Sequence, residues 1–99
     1  MSIRYIDLND PILAGVTILG DIGDESDDNI DVHAHLRKGG VFAFTVFTLR
    51  NVERLMSADN LGWFVCPGML LVCRMSDEAI VGAIRDGVSL GLGVLQRQD

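Results

Sequence analysis

Residues 30–47 of the chain read IDVHAHLRKGGVFAFTVF. Apolar and polar residues alternate strictly over 30–36, which is the period of a half-buried β-strand. Residues 41–47 form a second, aromatic run, and the intervening Arg37-Lys38-Gly39-Gly40 is typical of a turn. We therefore predict an antiparallel hairpin that pairs strand 30–36 with strand 41–47.

The sequence on both sides of this hairpin predicts further strands and the first helix. Weak alternation over 3–8 and a β-rich run over 14–19 indicate two earlier strands, followed by a polar loop over 20–29. After the hairpin, Thr48 is suited to cap a helix that begins at Leu49 and ends at Asp59-Asn60.

The C-terminal part predicts a second hairpin, a second helix and a last strand. Residues 63–66 and 69–74 flank the turn signal Pro67-Gly68, and we expect them to pair. Ser76 is suited to cap a helix with apolar residues at 80, 84 and 88, which Gly91 or Gly93 would end. Residues 92–96 could form the last strand.

This order of elements predicts an α+β fold, a mainly antiparallel sheet built from hairpins with two helices packed on one face. Residues 41 onward also fit the order β-α-β-β-α-β, so a ferredoxin-like core is the alternative. The 99 residues are enough for one α+β domain, 1–99. The later part of the chain is similar to small bacterial proteins of no named family, and this resemblance implies no site.

Composition limits the classes of partner. The formal net charge is −6, which disfavours binding to nucleic acid and to anionic membranes. Hydrophobic residues make up 48%, so we expect this small chain to leave apolar side chains exposed and to form a homodimer. The charged N-terminus does not fit a signal peptide, and no uncharged stretch reaches membrane-spanning length, so we expect a cytoplasmic protein.

The two cysteines do not indicate catalysis. In the predicted second hairpin, Cys66 and Cys73 would lie too far apart for a disulfide, so we expect free, mostly buried thiols. No base or positive group is predicted to activate either thiol, and no glycine-rich phosphate loop opens a helix. The sequence therefore predicts no catalytic residue and no cofactor.

The segment containing Asp31, His33 and His35 resembles the D-x-H-x-H motif of metal-dependent amidohydrolases. That resemblance implies imidazoles on one strand face binding a divalent ion. It also implies a (β/α)8 barrel of roughly 250 residues with further histidines, whereas this chain has 99 residues and two histidines. The main interpretation is the wet face of a half-buried strand, with a weak metal site as the alternative.

Six carboxylates lie within residues 21–31, without the glycine and glutamate of an EF-hand. Three interpretations are open: a solvated mobile loop, a docking surface for a basic protein, or a weak cation site. The residues of the possible docking surface are Asp24, Glu25, Asp27 and Asp28.

The predicted second hairpin is apolar on both faces, although only one face can meet the helices. It is either a covered central strand or a surface for self-association or a partner. The side chains assigned to that surface are Trp63, Phe64, Met69 and Leu71.

These features favour a non-enzymatic protein-binding module. An acidic homodimer that occludes a basic protein, as immunity proteins and antitoxins do, is the leading hypothesis. One alternative is a metal-binding protein or small metal-dependent enzyme that uses Asp31, His33 and His35. The other is a structural assembly subunit.

Overall fold

The computed structural model describes residues 2–96. Within them the chain forms one six-stranded sheet and two helices that lie on it, which confirms the predicted α+β class. The elements are β1 (Ile3–Asp7), β2 (Leu13–Leu19), β3 (Asn29–Leu36), β4 (Val41–Thr48), α1 (Leu49–Ala58), β5 (Met69–Val72), α2 (Asp77–Ser89) and β6 (Val94–Gln96). Between residues 2 and 96, neither helix is long and apolar enough to cross a membrane.

The first four strands form an antiparallel meander. The predicted central hairpin is confirmed, because β3 pairs with β4 from Asn29 opposite Phe47 to His35 opposite Val41. Its turn contains Gly39 and Gly40 at φ values of 94° and 98°. Glycine adopts this backbone region without the steric penalty that other residues meet, which explains the pair of glycines at this point.

Strand β4 lies at the centre of the sheet. One edge pairs with β3, and the other is shared by β6, opposite residues 41–43, and β5, opposite residues 45–48. Strand β6 is antiparallel to β4, whereas β5 is parallel to it. The parallel direction follows from α1, which carries the chain back to the starting end of β4.

The predicted hairpin between residues 63–66 and 69–74 is wrong. Residues 63–66 form no strand, and β5 pairs with β4 instead. The Met69 N–H donates to the Cys66 carbonyl, which closes a turn, and the Gly68 carbonyl accepts from the Thr45 N–H at 3.0 Å. Gly68 is already hydrogen-bonded to β4, so the chain pairs with β4 as soon as the turn ends. The ferredoxin-like alternative is therefore wrong, because it needs a strand at residues 63–66.

The core lies between one face of the sheet and α2. Phe44 and Val46 of β4 point to this side, and the α2 residues Ile80 and Ile84 are completely buried against the core. The predicted apolar stripe of α2 is thus confirmed, with Val88 packed at its margin. Burial of such side chains is the main favourable contribution to folding.

Both predicted helix caps are confirmed. Thr48 Oγ1 accepts from the Asn51 N–H at 3.2 Å, and Ser76 Oγ accepts from the Ala79 N–H at 3.1 Å. Each hydroxyl satisfies one backbone donor that the first helical turn leaves without a partner. Helix α2 ends where Gly91 takes a φ of 71°.

Candidate functional site

The segment that follows α1 presents apolar side chains to solvent. Leu61 is tied back to the helix by its N–H, which donates to the Met56 carbonyl at 2.8 Å. Further along, the ring of Phe64 packs edge-on against Phe47, with ring centroids 5.2 Å apart. This contact fixes the segment on the face of the sheet opposite α2, because Phe47 points away from the side of Phe44 and Val46.

Phe64 therefore acts as an anchor, and its neighbours project outward. Trp63 is 77% exposed and Val65 is 82% exposed. Leu71 of β5, also exposed, is the register partner of Phe47 and so lies beside the ring on which Phe64 rests. We call Leu61, Trp63, Val65 and Leu71 the apolar patch.

The residues predicted to form a partner surface divide between anchors and exposed members. Trp63 and Leu71 are exposed, whereas Phe64 and Met69 are half-buried. In place of the predicted hairpin, these four residues lie on an irregular segment and on the strand β5 that follows it. Val65 and Leu61 belong to the same exposed region, and their alternation with Phe64 was the signal that could have identified them.

The acidic loop over 20–28 is bound to the rest of the domain by ion pairs. Glu25 lies 2.8 Å from the guanidinium of Arg74, and Asp27 lies 2.9 Å from that of Arg54. The backbone contributes as well, since the Met75 N–H donates to the Glu25 carbonyl at 2.7 Å. These contacts hold the loop against the domain, although Asp24 and Glu25 stay exposed to solvent.

Asn51 is the buried centre of the loop's attachment to α1. Its side-chain Oδ1 accepts from Asn29 at 2.9 Å, and its Nδ2 donates to Asp27 at 3.0 Å. Only 1% of Asn51 is exposed. The hydrogen bond from Asn51, followed by the bond from Arg54, lowers the pKa of the Asp27 carboxyl. The sequence analysis did not identify Asn51. The feature that could have indicated its role is an amide side chain on the apolar face of an amphipathic helix.

The other two carboxylates of the predicted docking surface hold local turns. Asp24 accepts from the backbone N–H and the hydroxyl of Ser26, and these bonds lower the pKa of its carboxyl. Asp28 accepts from the Gly23 N–H at 2.8 Å. All four acidic side chains thus stabilise the loop's own conformation, and Arg54 and Arg74 neutralise part of its charge.

The side chains of Asp31, His33 and His35 share the open face of β3. Asp31 accepts from the Thr45 hydroxyl at 2.8 Å, and His35 Nε2 lies 2.7 Å from Thr17 Oγ1. Burial, and then the charge of His33, lower the pKa of His35. Four residues of strand span roughly 13 Å, too far for Asp31 and His35 to bind one ion. Among residues 2–96, no three His, Cys, Asp or Glu side chains are grouped to hold a metal.

Both cysteines are free, as expected, but they are not both buried. Cys66 is half-buried, whereas Cys73 is exposed. Cys73 directly follows β5 and lines an open groove of about 700 Å³ beside α1, together with Leu49, Arg50 and Ser57. The expectation of burial is wrong for Cys73. Free cysteines are usually buried, but this one lies where the chain leaves the sheet after β5.

A smaller groove of about 390 Å³ lies on the open face of the sheet. Asp31, His33, Thr45 and Cys66 are among the residues that line it. The Cys66 thiol donates to the Pro67 carbonyl at 3.7 Å, so its hydrogen bond is local. The groove therefore brings together polar groups without an assembled nucleophile and base.

Comparison with protein-family models, with curated proteins and with solved structures found no match for this chain.

Proposed function

We propose that the chain is a non-enzymatic protein-binding module that binds through the apolar patch. The observation that carries this proposal is the arrangement around Phe64: one aromatic ring holds the segment in place while Trp63 and Val65 project into solvent. Contiguous exposed apolar patches of a few hundred Å² are often functional in soluble proteins.

The energetics of Trp63 support this role. An aromatic side chain buries roughly 150–250 Å², and 77% of Trp63 is exposed to solvent. At about 25 cal/mol per Å², covering the exposed part would contribute about 3–5 kcal/mol. That magnitude is typical of the few residues that dominate binding at an interface.

We further propose that the module acts as a homodimer or against a basic protein, in the manner of immunity proteins and antitoxins. The net charge of −6 supports attraction to a basic partner. The acidic loop supports it less than its sequence suggests, because two of its carboxylates pair with arginines within the domain. The proposed compartment is the cytoplasm, where free thiols such as Cys66 and Cys73 persist.

Native mass spectrometry on untagged protein, purified gently from its own cells, tests this function. The matched variants are Trp63→Ser, in the apolar patch, and Leu90→Ser, at an exposed leucine after α2. We expect the unmodified chain to carry a second polypeptide, the Leu90→Ser variant to retain it, and the Trp63→Ser variant to lose it.

The proposal fails if the unmodified chain is found alone, or if both variants retain the second polypeptide equally. A thermal melt of each variant controls for folding. Because Trp63 is mostly in water, Trp63→Ser should melt with the unmodified protein. By contrast, Phe64→Ser should lower the melting temperature, since it removes the ring that rests on Phe47.

One observation favours the assembly subunit as a second candidate. Leu95 is 64% exposed and is the register partner of Phe42, so it lies on the sheet face opposite to that of Leu71. Apolar side chains on both faces permit head-to-tail growth, which an isologous dimer does not. Growth beyond a dimer with rising concentration, reduced by Leu95→Ser, would support this candidate.

A further inference from the structure

Among residues 2–96, one edge of strand β5 has no strand paired with it. Its one neighbour in the described sheet is β4. The Thr45 N–H donates to the Gly68 carbonyl, and in a parallel ladder the groups that point to the neighbour alternate along the strand. Gly68, Leu70 and Val72 therefore face β4, and the N–H and C=O of Leu71 point away from the sheet.

Strand β5 is short, with four residues, but it lacks the charged and proline residues that usually protect an edge. Charged residues, prolines and bulges normally prevent an edge from pairing with another chain. Strand β1, at the opposite edge, contains Arg4 and Asp7. Strand β5 reads MLLV, without charge or proline, and Leu71 at its centre is 48% exposed.

We propose that two copies of this chain pair along β5, antiparallel, about a two-fold axis at Leu71. The proposal rests on the proposed function and names its partner as a second copy. Centred on Leu71, the outward N–H and C=O of one copy meet those of the other and form two hydrogen bonds. The Met69 N–H already donates to the Cys66 carbonyl. The Met69 carbonyl is therefore the group at this residue that can accept a hydrogen bond, from the Cys73 N–H of the second copy.

The apolar patch lies where it can contribute to such a dimer, because Leu71 is at the two-fold axis and the patches of both copies share one face of the joined sheet. The four side chains of the patch together expose on the order of 350 Å². Apolar atoms make up a little over half of an ordinary interface, so burying all of this area would correspond to about 600 Å² per partner, the lower end for a stable complex.

Charge distinguishes the second copy from a basic partner. Two copies each carry a net charge of −6 and repel one another. Salt screens this repulsion, so the dimer should tighten or stay constant as ionic strength rises, whereas a complex with a basic protein should weaken.

Cysteine cross-linking tests the pairing. In a chain with Cys66→Ser and Cys73→Ser, Leu71→Cys should form a covalent dimer with a short cross-linker that joins two thiols. Directly opposite residues of a hydrogen-bonded pair lie about 5.5 Å apart between Cα atoms, which is within reach of such a cross-linker. The matched control is Tyr5→Cys, exposed on β1 at the protected edge. The pairing is overturned if Leu71→Cys cross-links no faster than Tyr5→Cys.

Hydrogen exchange on the unmodified protein covers the case in which the cysteine variants do not fold. The Leu71 amide should gain protection as the protein is concentrated, and unchanged exchange would overturn the pairing. Loss of a partner in Trp63→Ser, together with absent cross-linking at Leu71, would leave the proposed function intact and remove this inference alone. A foreign chain recovered on the β5 edge in place of a second copy would have the same effect.

Discussion

Gly87 is the position where an added methyl group tests the packing of α2 on the sheet most sharply. It is buried on the inner side of the helix. A Cβ at this position would lie 2.9 Å from Phe44 Cε1 and 3.0 Å from Leu70 Cδ2. Phe44 is 2% exposed, so its ring has little room to move. Gly82, on the same helix, offers a matched control, because a Cβ there meets no heavy atom within 4 Å.

The two glycines should respond in opposite directions to alanine. Replacing a helical glycine by alanine gains about 1 kcal/mol of intrinsic helix stability. Overpacking a core costs about 1–3 kcal/mol, so Gly87→Ala should lower the free energy of unfolding by about 1 kcal/mol. Gly82→Ala should instead raise it by up to about 1 kcal/mol.

Urea denaturation followed by circular dichroism measures this difference of about 2 kcal/mol between the variants. If both alanines stabilise the protein equally, α2 does not pack Gly87 closely against Phe44 and Leu70. If both alanines destabilise it, Gly82 also lies against neighbouring atoms.

Two further predictions concern the polar contacts. Asn51→Ala removes two hydrogen bonds of about 1 kcal/mol each, partly offset by the better helix propensity of alanine. It should lower the melting temperature by roughly 10 °C, whereas Glu53→Ala, at an exposed position of the same helix, should leave it unchanged. Equal melting temperatures for the two variants would mean that the hydrogen bonds of the buried Asn51 amide do not stabilise the fold. Because the pKa of His35 is lowered in the folded state, the unfolded chain protonates first. The contribution of His35 to the free energy of unfolding should be fully present above about pH 6.5 and should be lost as the pH falls below that value. The variant His35→Gln should therefore show a smaller loss of stability in this pH range. An unchanged profile of stability against pH would contradict the prediction.

Local patterns were sufficient to predict most of the elements. The alternation over 30–36 and the glycine pair that follows specify the central hairpin, because period and turn chemistry act over a few residues. Thr48 and Ser76 identified the starts of both helices for the same reason. The direction in which β5 pairs is different, since a four-residue apolar strand carries no information about its partner.

The contacts that connect distant parts of the chain were not predictable. Glu25 with Arg74, and Asn51 with Asp27, are joined only after α1 and β5 have been placed. The acidic loop consequently looked mobile in sequence, although it is bonded on two sides. Two residues of the apolar patch, Trp63 and Leu71, were named because the chain around them is apolar. Which side chains anchor the segment and which project into solvent depends on the contact between Phe64 and Phe47.

Sedimentation velocity over a wide range of protein concentrations tests the binding surface most directly. We expect the unmodified chain to sediment as a dimer at high concentration and Leu90→Ser to do the same. Trp63→Ser should remain a monomer with an unchanged melting temperature. An unmodified chain that stays monomeric throughout, in low and high salt and with no bound polypeptide, would contradict this expectation.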